Sequence, residues 1–167
     1  MAETFFGKYR GLVLNNIDPE SRGRIQVQVP DVKSLLPTTF AEPCFPFTGI
    51  QSGMFVVPMI GASVWVEFEH GDPDYPIWTG GWFPTAADVP ALAQTPPGVQ
   101  GFCINTVLQN TLLISDVPGA GGIMLKTTTG AMIKMDDTGI IIQNGKGAII
   151  TMNGPTVTVN AGALVVT

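Results

Sequence analysis

Along the first half of the chain, apolar and polar residues alternate in short runs separated by turn residues. RIQVQV, residues 24–29, sets Ile25, Val27 and Val29 against Gln26 and Gln28. SVWVEFE, residues 63–69, sets Val64, Val66 and Phe68 against Trp65, Glu67 and Glu69. A period of two predicts half-buried antiparallel strands with one wet face. KYRGLVLN (8–15), an apolar segment at 54–57, and 77–82 complete five short strands, with a proline-rich connection over 31–47. Helical periodicity is nearly absent, and the best short candidate, 34–39, contains Pro37. Five strands in so short a span predict a closed OB-type barrel, because closure leaves no exposed edge.

The second half follows another rule. Short β-prone runs at 112–116, 123–127, 131–135, 140–143, 148–152, 156–159 and 163–166 are broken by glycine turns. From the second run on, their starts step by 8, 9, 8, 8 and 7 residues. A strand and a tight turn on that beat predict a β-helix or β-prism. Ile123, Leu125, Ile133, Met135, Val157 and Val159 alternate with Met124, Lys126, Met132, Lys134 and Thr158. Such alternation requires a dry interior that one strip cannot enclose. Three strips about one axis can, so an obligate homotrimer with those six residues in its core is expected; the alternative is a single-chain solenoid. The whole reads as all-β: an N-terminal OB-fold barrel over 1–87, a Pro/Gly linker over 88–101, and an intertwined trimeric β-helix needle over 102–167.

Charge narrows the function classes. Residues 1–101 hold five basic and ten acidic groups, whereas 102–167 hold three of each. There is no basic cluster of the kind that marks a nucleic-acid binder, so no nucleic-acid partner is expected. Cys44, Cys103 and the single histidine fit no zinc spacing, which predicts no metal and no cofactor. MAETFFGKYRG lacks the apolar core of a signal peptide, and no apolar run is long enough to span a bilayer as a helix.

Tyr9-Arg10-Gly11-Leu12-Val13, Asn16-Ile17-Asp18-Pro19-Glu20, Gly23-Arg24-Ile25-Gln26-Val27, Pro58-Met59-Ile60-Gly61 and Gly71-Asp72-Pro73-Asp74-Tyr75-Pro76-Ile77 follow one another in order. With the repeat after them, the chain resembles the central spike proteins of contractile-tailed phage baseplates and the VgrG-type spikes of type VI secretion. The resemblance implies an OB-fold collar on a baseplate hub protein, and a trimeric needle that pierces the target outer membrane when the sheath contracts. It places the protein at the tail tip of a virion or related particle, assembled in the host cytoplasm. No muramidase domain separates the halves. The His-x-His apex of some phage needles is missing, since His70 lies far from the C-terminus. The last residues, Ala163, Leu164, Val165, Val166 and Thr167, are therefore expected to dock a separate PAAR-like tip protein, unless they fold over the end themselves.

The richest local chemistry lies at 64–83, with Glu67, Glu69, His70, Asp72, Asp74 and three tryptophans. Paired carboxylates are what a glycosidase needs. Yet Glu67 and Glu69 occupy the wet face of a strand, and Gly71, Asp72, Pro73, Asp74 and Pro76 suit a hairpin turn. No catalytic residue is expected. Trp65, Trp78 and Trp82 lack a neighbouring lysine or arginine in sequence, and are expected to be core or hub contacts, with Ile77 and Trp78 packing the barrel. The alternative function is an OB-fold carbohydrate- or nucleic-acid-binding protein trimerised by its C-terminal region.

Overall fold

A computed structural model describes residues 3–32 and 36–166. Among these residues the chain is all strand and turn, apart from four single 3-10 turns. It divides into two compact units, one ending at Pro84 and one beginning at Thr85.

In the N-terminal unit β1 (Tyr9–Asn15), β2 (Gln26–Gln28) and β3 (Glu42–Pro43) precede a small hairpin of β4 (Thr48–Gly49) and β5 (Ser52–Gly53). β6 (Ser63–Phe68) and β7 (Pro76–Gly81) follow. The main sheet has the order β2-β1-β6-β7-β3, antiparallel except for the β3–β7 pair. It closes on itself just upstream of β3. Ile25 and Ala41 exchange backbone hydrogen bonds of 3.2 and 2.7 Å, and Thr38 N–H donates to Val27 O at 2.8 Å. Closure carries the alternating positions Val13, Ile25, Val27, Val29, Val64, Val66 and Phe68 into one core with Ala41 and Trp78. Ile77 does not join them. It pairs with Glu67 and is half-buried on the other side of β7.

The fifth strand is not the expected apolar segment at 54–57. Met54, Phe55 and Val56 are exposed, and both edges of β7 are already taken, by β6 and by β3. The proline-rich connection supplies β3 instead. Two residues, one of them proline, leave no period to read, and an edge is where proline costs no ladder bond.

One carboxylate organises the β1–β2 connection. Asp18 accepts backbone N–H bonds from Glu20 (3.0 Å), Arg22 (2.7 Å) and Arg24 (3.2 Å). It also accepts the Arg24 guanidinium through Nε (3.0 Å) and Nη2 (2.7 Å). Arg22 reaches across to Glu42 with a two-pronged contact of 2.9 and 2.6 Å. The Arg24 guanidinium, with the three N–H groups, holds the Asp18 carboxyl well below the usual carboxylate range.

The C-terminal unit opens with turns. The Thr85 backbone N–H and hydroxyl both donate to the Asp88 carboxylate, at 2.9 and 2.7 Å, and Thr95 donates its hydroxyl to Val99 O at 2.8 Å. Then come β8 (Gly101–Asn105), β9 (Thr111–Ser115), β10 (Gly122–Lys126), β11 (Ala131–Asp136), β12 (Gly139–Asn144), β13 (Ile149–Asn153), β14 (Thr156–Val159) and β15 (Leu164–Val166). β8 lies ahead of 112–116, the first run that the sequence pattern marks as a strand. Each strand pairs antiparallel with its neighbours in sequence, so the eight form one meander. A single-chain solenoid would stack its coils in parallel, and this connectivity excludes it. Gly139 shows how tightly the turns fit: at φ +139°, a Cβ there would lie 1.9 Å from Met152 O.

Asp18 gives the N-terminal unit an acid limit. A carboxylate whose folded pKa is depressed adds stability above its unfolded value, and that stability is lost as pH falls. The barrel's melting temperature is expected to hold near neutral pH and to fall below about pH 4. In Asp18→Asn it starts lower at pH 7 and the acid decline shrinks, which a pH series of thermal melts followed by tryptophan fluorescence measures. An unchanged decline would assign it to other carboxylates.

Candidate functional site

The acidic stretch at 64–83 comes together as a turn. Glu69 N–H donates to Tyr75 O (2.9 Å), Asp72 N–H to Glu69 O (3.0 Å), and Tyr75 N–H to Asp72 O (3.0 Å). The Asp72 carboxylate accepts Asp74 N–H at 3.0 Å. Pro76 is fully buried, and Pro73 is half-buried. Glu67 faces outward and pairs with Lys8 at 2.8 Å. The His70 side chain is 92% exposed, on backbone at φ +53°. Gly71 does more than turn the chain. It is buried at φ +77°, its carbonyl accepts Phe5 N–H at 2.8 Å, and a Cβ would lie 3.0 Å from the Phe6 ring. Through it the turn anchors the N-terminal segment, and Phe5 packs 6.2 Å from both Tyr9 and Phe68.

The three tryptophans separate by face. Trp78 lies in the core, its indole N–H donating to Gly23 O at 3.1 Å and its ring edge-on to Phe45 at 5.5 Å. Trp65 and Trp82 stand outside, 5.8 Å apart. The expectation that no cation accompanies them is overturned by register: β1 pairs with β6 so that Arg10 lies opposite Trp65. Its guanidinium sits 4.7 Å from the Trp82 ring and 5.9 Å from Trp65.

The largest organised surface is one face of the C-terminal sheet. Pairing aligns two cross-strand ladders upon it. One runs Phe102, Ile114, Ile123, Met135, Ile140, Met152, Val157. The other runs Ile104, Leu112, Leu125, Ile133, Ile142, Ile150, Val159, Leu164. Every rung is apolar, and no charge or hydrogen-bonding side chain interrupts either column. All six core residues read from the alternation fall on this face. It stands open within the chain: Leu125 is 50% exposed, Ile133 42% and Ile123 41%. The reverse face is mixed, with Met124, Lys134, Ile141, Thr151 and Thr158 along its middle column. There Lys134 pairs with Asp136 at 2.7 Å and, with Thr138, holds that carboxyl below its usual range. The Thr151 and Thr158 hydroxyls bond to each other. Cys103 lies on this face too, its thiol pushed up by burial.

Other expected site residues are placed less fully. Ala163 and Leu164 are exposed at the end of the meander. Val165 and Val166 belong to β15, their side chains outside what the structure describes, and Thr167 lies outside the described residues. Among the described residues no three His, Cys, Asp or Glu side chains converge to hold a metal, and no helix is long and apolar enough to cross a membrane.

Residues 9–83 match the family model described as the type VI secretion system/phage-baseplate injector OB domain. Residues 101–165 match the phage baseplate V C-terminal trimerisation domain. No curated protein matches the chain significantly. An injector OB barrel followed by a trimerisation strip defines the class: a spike of a contractile injection machine. The chain belongs to the phage baseplate V family, the VgrG-type central spike proteins, with a spike role in a phage baseplate or type VI secretion system.

The Gly71 geometry can be tested directly. Gly71→Ala is expected to lower stability by about 1–2 kcal/mol from the left-handed backbone alone, with a further loss from the Phe6 contact. Chemical denaturation reads it against the wild-type midpoint. An unchanged denaturation midpoint in Gly71→Ala would show that the N-terminal segment is not anchored there.

Proposed function

We propose that the protein is a homotrimeric needle that pierces the target outer membrane, driven by sheath contraction and performing no chemistry of its own. One observation carries this reading: two uninterrupted apolar ladders on a single-layer sheet, open to solvent in the lone chain. Three such strips, wound with the ladders inward, give every rung a dry environment. Ile123, Leu125, Ile133, Met135, Val157 and Val159 then form the trimer core together with the other rungs. Burying an aliphatic side chain of this size contributes about 1.5–3 kcal/mol, repeated at each rung and in each copy. The outer columns, with Lys134–Asp136 and the threonines, remain for solvent.

The barrel is the end that sits on the baseplate hub, and the last residues, 163–167, take a PAAR-like tip protein. The exposed Ala163 and Leu164 support the latter, since an apolar end left open usually marks a contact. The chain is assembled in the host cytoplasm before joining the tail.

Mass measurement by light scattering is expected to give three chains, and the trimer should survive SDS without heating. Leu125→Asp places an unpaired charge in the dry interior, a substitution far costlier than cavity formation. It is expected to yield a single chain and to lose SDS resistance. A wild-type protein with the mass of one chain would sink the needle.

A further inference from the structure

Arg10 is the feature of the barrel left unexplained by a needle. It projects from the outer side of β1, in register with Trp65, and lies 4.7 Å from the Trp82 ring. Arg22, Arg24 and Lys8 each hold a carboxylate. Among the described residues, nothing accepts a hydrogen bond from the Arg10 guanidinium. Beside it the Trp82 indole nitrogen is buried with no acceptor among the described residues, although buried donors are ordinarily satisfied. Leu12 and Leu14, on the same face of β1, are 40% and 39% exposed. A cation held against two tryptophans and flanked by open leucines has the make-up of a protein-contact hot spot. Everything polar in it donates, so its partner must accept.

We propose that in the trimer this patch docks on the neighbouring copy's barrel, with Arg10 meeting a carboxylate there. The proposal rests on the trimeric reading above. Charge favours a second copy. Residues 1–84 carry nine acidic groups against five basic ones, an unfavourable field for phosphate-bearing ligands and a ready source of carboxylates. Glu69 and Asp72 meet no lysine or arginine among the described residues. Three barrels borne on one trimer are held at high effective concentration, so a modest contact suffices. The patch faces a different surface on the next copy, and such a head-to-tail contact closes into a ring under three-fold rotation. It also offsets the repulsion among three net-negative barrels.

Arginine-specific modification of the full-length protein with phenylglyoxal, read by peptide mass spectrometry, tests this. Arg10 is expected to react at least tenfold more slowly in the wild-type trimer than in the Leu125→Asp chain, with Arg22 unchanged between them. Equal Arg10 rates in the two would overturn the docking. So would protection that appears only when the hub protein is added, which would assign the patch to the hub. If Leu125→Asp does not fold, the comparison moves inside the wild-type trimer: Arg10 reacting as fast as Arg22 overturns the proposal, and tenfold slower supports it. A second arm uses Arg10→Glu, expected to keep the mass of three chains while lowering the barrel's melting temperature in the trimer. A wild-type mass of one chain overturns the trimer itself, and the docking with it, a result distinct from a trimer whose Arg10 is reactive.

Discussion

A single layer of β-sheet has two faces, and a chain that makes one of them wholly apolar must find something to lay against it. This constraint shapes the C-terminal half more than any turn or ion pair does. Backbone pairing between sequence neighbours sets the register, register lines up the rungs, and the aligned rungs produce a surface that water disfavours. The mixed reverse face follows from the same register, because moving one strand by a single residue would exchange the faces. Glycines such as Gly139 keep that register by allowing backbone approaches that no side chain permits.

The barrel solves the same problem alone. Its sheet curls until Ile25 meets Ala41, and its apolar face becomes an interior filled by its own valines and Trp78. Polar organisation is pushed into the connections, where the Asp18 carboxylate gathers five N–H donors and Gly71 receives the N-terminal segment. The two halves thus represent two ways of drying a sheet, by closing it and by sharing it.

Alternation was legible wherever a strand has one wet face. Ile25, Val27, Val29, Val64, Val66 and Phe68 were placed by it, as was the common face shared by the set from Ile123 to Val159. It failed where the local signal is symmetric or brief. Ile140-Ile141-Ile142 offers no polar partner to show its facing, and only pairing with Met135, Met152, Ile133 and Ile150 puts Ile140 and Ile142 among the ladders. β8 precedes the repeat's beat and was passed over. β3 is too short for a period, while the apolar segment at 54–57 looked like a strand but had no free edge to join. Long-range register was equally hidden: nothing near Trp65 in sequence announces Arg10. The five bonds to Asp18 lay within one short loop, and its Asp-Pro start marked a turn without revealing that a single side chain holds it.

The meander also carries a rule about length. Each strand touches only its neighbours and adds one rung to both columns, so each two-strand hairpin adds two rungs to each and returns the chain to the same edge. Duplicating or deleting a whole hairpin therefore leaves every other pairing in phase. Gaining a single strand would instead reverse the chain's direction and send all later turns to the opposite side. Over evolutionary time such a strip can be lengthened or shortened in discrete steps of two strands, by gene duplication alone, with no redesign of the segments on either side.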